Sequence, residues 1–226
     1  GGTYTLKTPI KAGGGDYFSP YYDGVIYIGG FDGATLDVSE LDGPMIQIEG
    51  SVRNAENADG TENANYKYLD YIRIDGLKIK GLKQPLVKDN QKTLVEEIFV
   101  YDCVIDVNGN KNIFDFNNAG YPGYLAVYNS TLASENGHTG YFLQSSGCVK
   151  DLDSEQETYE QYIDIDGCTL YQIAKGQQMN NLQGKGQKSL GFYLWNSLLF
   201  DTGSDSGNEV CGSLGGQNST NPDISY

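Results

Sequence analysis

A chain of 226 residues with 30 Asp and Glu against 15 Lys and Arg carries a formal net charge of −15. That balance excludes nucleic acid, whose binding sites need concentrated basic residues, and it excludes adsorption to anionic lipid. Thirty glycines and 18 tyrosines, with no long amphipathic helical pattern, indicate a turn-rich all-β protein.

In chain order, residues 1–19 read as an edge segment. The chain opens on Gly1-Gly2 without an initiator Met, as a processed chain or a fragment does, so a signal segment is not expected within it. A weak alternating phrase, IYIGGF, begins at Ile26, and another, IQIEGSV, begins at Ile46. Five strong copies of an eight-residue phrase follow: IRIDGLKI (72–79), IFVYDCVI (98–105), LAVYNSTL (125–132), IDIDGCTL (163–170) and FYLWNSLL (192–199). The first and third places are large and apolar, the fifth is Gly, Asp or Asn, the sixth is usually Cys or Ser, and the eighth is Ile or Leu. From Ile46 onward the starts are separated by 26, 26, 27, 38 and 29 residues. A recurrence of that length marks a repeat architecture in which each unit buries its apolar face against its neighbours. Alternation with period two is a strand signal, so the repeat predicts a parallel β-solenoid.

Looser strands are expected to close each coil: Pro85–Val87, Ile113–Phe116, Tyr141–Leu143 and Val210–Cys211. At the fifth place, Asp102, Asn129 and Asn196 suit a tight bend because Asn and Asp tolerate left-handed backbone angles. Gly50, Gly76 and Gly167 reach the same angles without steric cost. The Asn129-Ser130-Thr131 run therefore reads as a turn and not as a glycosylation site. Cys103 and Cys168 share the sixth place with Ser130 between them, which puts them about 10 Å apart, beyond disulfide reach. They are expected to be small core residues. Cys148 and Cys211 are left as a pair that nothing in the sequence brings together, and no CxxC spacing suggests zinc.

The phrase I-x-I-x-[DN]-[GCS]-x-[IL], with Asn or Gly at the turn and about 26 residues per coil, resembles the right-handed parallel β-helix of the pectin-lyase-like superfamily. The NST and GCT forms further resemble uncharacterised secreted β-helix proteins of polysaccharide-degrading gut bacteria. The resemblance spans roughly residues 20–212, leaving 213–226 as a tail. It implies one domain over 1–226, wound in about seven coils, secreted or held at the bacterial cell surface or outer membrane, and acting on or binding polysaccharide. Lipid insertion is not expected, since no apolar run nears the roughly 18 residues of a spanning helix.

Several residues carry the functional expectations. There is no Asp-Asp pair of the kind seen in hydrolases on this scaffold, and the sole histidine, His138, reads as a solvated loop residue. A calcium-assisted, pectate-type lyase would need Arg73 as its base, with Glu49 and Asp75 beside it. The acidic loop bearing Asp201, Asp205 and Glu209 offers oxygen ligands for Ca2+ without EF-hand spacing. Residues 134–161, which produce the 38-residue step, are expected to protrude as a rim or lid. The outward fourth place reads Glu49, Asp75, Tyr101, Tyr128, Asp166 and Trp195, and the second place adds Phe99 and Tyr193. Exposed rings beside carboxylates suit a pyranose, whose C–H groups pack on the ring face while its hydroxyls meet polar neighbours. The leading expectation is non-catalytic glycan binding through Tyr101, Tyr128, Tyr193 and Trp195. A lyase, or a structural and adhesive module that binds protein, is the alternative.

Overall fold

The computed structural model describes residues 1–12, 24–31, 33–48, 69–89, 94–116, 121–145, 160–182, 189–203 and 224–225. Among these residues the protein is all-β: twenty strands in three parallel sheets, with no helix. Sheet A holds β1 (Thr3–Thr5), β4 (Thr35–Asp37), β7 (Lys78–Leu82), β10 (Val104–Val107), β13 (Thr131–Ala133), β16 (Thr169–Tyr171) and β19 (Leu198–Phe200). Sheet B holds β2 (Ile10–Ala12), β5 (Ile46–Ile48), β8 (Val87–Asp89), β11 (Phe114–Phe116), β14 (Leu143–Ser145) and β17 (Asn180–Leu182). Sheet C holds the longer strands β3 (Gly24–Gly29), β6 (Leu69–Asp75), β9 (Leu94–Tyr101), β12 (Tyr121–Tyr128), β15 (Glu160–Asp166) and β18 (Ser189–Trp195), with β20 (Ile224–Ser225) beyond. From β1 to β19 the chain visits A, B and C in rotation, and each strand up to β16 pairs with the one three further along; β18 pairs with β20. This is the repeat architecture of a parallel β-helix.

The eight-residue phrase is a corner. Its first four places end a sheet C strand, its fifth and sixth make the turn, and its last two begin a sheet A strand. The backbone is left-handed at the fifth place in all five strong copies: φ is 65° at Gly76, 51° at Asp102, 49° at Asn129, 64° at Gly167 and 46° at Asn196. The sixth place makes a ladder along the stack. Ser130 Oγ accepts from the Cys103 amide at 3.0 Å and donates to Tyr128 O at 2.8 Å. Ser197 Oγ does the same for the Cys168 amide (3.0 Å) and Trp195 O (2.7 Å). A hydroxyl or thiol of this size fits the corner and satisfies main-chain groups there. Cys103 and Cys168 are buried free thiols, and burial pushes the Cys103 thiol up to about 11.

The first and third places of the phrase point inward. Ile72, Ile98, Leu125, Ile163 and Phe192 stack in one column and Ile74, Val100, Val127 and Ile165 in the next, all nearly free of solvent contact. The eighth place adds Ile79, Ile105, Leu132 and Leu170, and sheet B adds Ile46, Val87, Phe114 and Leu143. Each such side chain contributes about 1.5–3 kcal/mol by leaving water. Phe114 meets Phe142 edge to face at 5.3 Å.

Four expectations need correction. The phrase at Ile46 is not a copy of the corner: β5 lies in sheet B, where Ile46 pairs with Ile10 and Val87. The weak phrase at Ile26 is the true copy, with Ile26 opposite Ile72 and Gly29 opposite Asp75. The 26-residue step from Ile46 to Ile72 was a coincidence of two alternating strands in different sheets. Second, strand pairing already begins at Thr3 and Ile10, inside the expected edge segment 1–19. Third, Ser134–Ser145 do not protrude; they cross from sheet A to sheet B and include β14, while 146–159 lie outside the described residues.

Fourth, His138 is fully buried, not solvated. Its Nε2 bonds Lys111 O at 2.8 Å, and its Nδ1 accepts from the Ala174 amide at 3.1 Å. The ring thus staples three successive coils in one neutral tautomer. Burial lowers its affinity for a proton, outweighing the bond to Lys111 O. A strand at Asn180–Leu182 went unpredicted because two asparagines open it; Val210–Cys211, Cys148 and most of 213–226 lie outside the described residues.

Candidate functional site

Alternation along sheet C turns three residues per strand outward, and the parallel register aligns them in rows across the coils. The fourth-place row runs Gly29, Asp75, Tyr101, Tyr128, Asp166, Trp195. The second-place row runs Tyr27, Arg73, Phe99, Ala126, Asp164, Tyr193. A third row, two residues earlier, includes Tyr71, Glu97, Tyr124 and Tyr162. All four rings expected to bind therefore share one face. Tyr101 and Tyr128 are direct neighbours, and Trp195 stands two coils beyond Tyr128. The place in the row assigned to Glu49 is taken by Gly29. Glu49 follows a sheet B strand and lies outside the described residues.

The middle of the face is a continuous ring cluster. Phe99 stacks on Tyr101 at 5.6 Å and meets Tyr71 and Tyr124 edge-on at 6.3 and 5.9 Å. Tyr101 and Tyr128 pack at 5.2 Å with their planes 43° apart, and both are half-buried. Tyr162 stacks on Tyr193 at 6.3 Å. The rings at the two ends are the open ones: Tyr27 is 55% exposed and Trp195 44%.

Arg73 lies at the N-terminal end of the face. Its Nη2 and Nε donate to Asp75 Oδ2 at 2.6 and 3.2 Å, and its guanidinium carbon sits 4.8 Å from the Tyr101 ring centre and 5.8 Å from that of Tyr27. The bond to Asp75 raises its proton affinity still further. That shift runs against service as a lyase base, which must give its proton up.

At the other end, Asp164 Oδ2 accepts from Tyr128 at 2.5 Å and from Tyr124 at 3.1 Å, and the two phenols touch at 2.5 Å. Asp164 Oδ1 is shut off from solvent and has no hydrogen-bond partner among the described residues. Burial holds the Tyr128 phenol well above its ordinary range, with the Asp164 bond adding to it, and burial raises Tyr124 as well. Both phenols are hydrogen-bond donors at neutral pH and not bases. Asp166 Oδ1 accepts from Asn196 at 3.0 Å.

Sequence reasoning singled out Asp75, Tyr101, Tyr128, Asp166, Trp195, Phe99 and Tyr193 but missed Tyr27, Tyr71, Tyr124, Tyr162 and Asp164. Their signal was present: the alternation turns the residue just before each phrase outward (Tyr71, Tyr124, Tyr162), and the second place is Tyr27 in the weak copy at Ile26 and Asp164 in the fourth strong copy. Of the three acidic residues in the Asp201 loop, only Asp201 lies within the described residues. Asp201 is ion-paired with Lys175 and accepts from Gln172 at 3.1 Å, while Asp205 and Glu209 lie outside them. Among the described residues no group of three or more His, Cys, Asp or Glu side chains is placed to hold a metal.

Among the described residues, the face combines a broad ring surface with carboxylates that accept hydrogen bonds. Protein-family models, curated proteins and solved structures offer no match to this chain.

Proposed function

We propose that the protein is a secreted or cell-surface glycan-binding β-helix, wound right-handed in about seven coils, that lays a polysaccharide along the outer face of sheet C. The observation that carries the reading is the row ending in Trp195. A ring 44% exposed stands beside Asp166 and next to Tyr193, on a face whose remaining rings continue for several coils. Coils about 4.8 Å apart repeat at a spacing commensurate with successive sugars of an extended chain. Trp195 and Tyr193 offer faces for sugar C–H groups, and the carboxylates accept from hydroxyls. Tyr101 and Tyr128, packed on each other, act as the floor of the site and present their edges. Right-handed winding follows from the general hand of parallel crossovers.

Affinity electrophoresis against a broad panel of plant and host polysaccharides tests the proposal. Retardation by at least one polymer, removed by Trp195→Ala, is the expected result. Uniform mobility across the whole panel overturns it. Release of unsaturated sugar from a uronate polymer, lost on Arg73→Ala, would instead establish the lyase alternative.

A further inference from the structure

We infer that copies of this chain stack head to tail, the N-terminal end of one solenoid seated on the C-terminal end of the next, so that sheets A and C run on from copy to copy. The inference goes beyond the glycan reading and does not depend on it. Among the described residues nine large apolar side chains are exposed, and eight of them belong to the first coil or the last two; Val104 alone stands in the middle. Val25, Tyr27 and Trp195 lie on sheet C. That leaves Tyr4 and Phe31 at one end and Tyr171, Leu198 and Phe200 at the other.

Tyr4 shows what is unusual about these ends. Its inward column reads Tyr4, Leu36, Ile79, Ile105, Leu132, Leu170, Leu199. The four middle members from Ile79 to Leu170 are buried, yet Tyr4 is 65% exposed and Leu199 is half-buried. A cavity of about 340 Å³ opens beside Tyr4, walled by Ile28, Phe31, Leu36 and Leu77. Phe192, by contrast, has β20 beyond it and is buried. Solenoids keep their ends apart with polar terminal repeats, and sheets protect their edges with charge, lysine above all. Here the pattern is reversed. The outermost strands of sheet A are β1 (Thr-Tyr-Thr) and β19 (Leu-Leu-Phe), both without charge, whereas Lys78 and Lys80 sit on the interior strand β7.

A second copy is the occupant that covers both ends with one contact. The described strands start on sheet A with β1 and finish on sheet C with β20, so a copy moved along the axis resumes the A, B, C rotation with every strand parallel. In that arrangement β1 pairs with β19 of the next copy. Tyr4 then covers Leu199, and Thr3 and Thr5 lie beside Leu198 and Phe200. Like charge does not oppose the contact, although the chain carries −15: residues 1–12 hold Lys7 and Lys11 and no acid, and residues 189–203 hold only Asp201. The apolar side chains left open at each end amount to about 300 Å², less than the ~800 Å² that each partner gives to a standard interface. Main-chain bonds along the strand edges supply the rest. The association is therefore weak, and being heterologous it does not close on itself.

Sedimentation velocity of the 226-residue chain over a roughly hundredfold range of concentration tests the stack. The wild type is expected to give a ladder of sizes that lengthens with concentration. Tyr4→Asp at one end, and Leu198→Asp with Phe200→Asp at the other, should each leave a monomer. Mixed in equal amounts, these two variants should form a dimer and nothing larger, because each brings the end that the other lacks. Val104→Asp, which puts the same charge on the middle of sheet A, should associate as the wild type does. Thermal melts check that the variants are folded. Phe31→Asp, at a side chain 82% exposed, replaces Tyr4→Asp if that variant is not, and Phe200→Asp alone replaces the double change. A wild type that stays monomeric at every concentration overturns the inference, as does a mixture that forms no dimer. A dimer of either blocked variant alone also overturns it, because two like ends would then be meeting. So does a monomeric Val104→Asp, which would make net charge the cause.

Discussion

The inner and outer sides of sheet C are built from alternate residues of the same strands, yet they obey different rules. Inward, the columns through Ile72 and Ile74 admit only Ile, Val, Leu or Phe, because each side chain must fill the space left by the coils above and below. Outward, the same register aligns Tyr, Asp, Arg, Phe, Ala and Trp in rows with no common chemistry. The inner side carries the stability of the solenoid. The outer side is not held to that packing rule, and it holds rings and carboxylates that contact one another across the coils. Substitutions on the two sides should therefore separate stability from binding.

The largest effect is expected inward. Ile74→Asp places an unpaired charge where there is no solvent, and urea denaturation should show a loss of more than about 4 kcal/mol or no cooperative transition at all. Phe114→Ala in sheet B leaves a cavity against Phe142 and should cost about 3–5 kcal/mol by the same measurement. At the corner, Asn129→Ala puts a residue that enters the left-handed region less readily than Asn at φ 49°, for about 1 kcal/mol, whereas Asn129→Gly should cost less.

His138 gives a pH signature to the interior. Its folded pKa lies below the ordinary 6.5, because burial disfavours the charged ring. The unfolded chain therefore takes up the proton first as pH falls. The stability contribution should be complete above about pH 6.5 and decline below it, towards the folded value. Melts at pH 8 and pH 5.5 should differ more for the wild type than for His138→Gln, whose side chain does not titrate in this range. The smallest stability effect is expected at Trp195→Ala, within about 0.5 kcal/mol, since the ring is an exposed surface group.

The same contrast explains what could be read from the sequence. The inner side was legible because packing imposes a rule on every coil: the first, third and eighth places and the left-handed fifth place recur in all five strong copies. That rule has a failure mode. Any short alternating strand satisfies it, so Ile46–Ile48 of sheet B passed as a corner copy while Gly29-Gly30 hid the real one at Ile26. His138 was misread because Asn, Gly and Thr surround it in sequence, whereas its burial depends on Lys111 and Ala174 from neighbouring coils. On the outer side, Tyr101, Tyr128, Tyr193 and Trp195 were placed on one face by alternation alone. Whether a ring was open or packed depended on cross-strand partners, which sequence spacing does not rank. Asp164 could be placed outward, but its unpartnered oxygen follows from two tyrosines on another strand.

The central claim is that ligand lies on the outer face of sheet C at Trp195. Because Trp195 is the only tryptophan, its fluorescence reports that position and no other. Acrylamide quenching should be measured in the free protein and at saturation with a polysaccharide that retards it in affinity electrophoresis. A ring covered by sugar should be quenched markedly less than the 44%-exposed free ring. Unchanged quenching at proven saturation would place the ligand elsewhere and contradict the account.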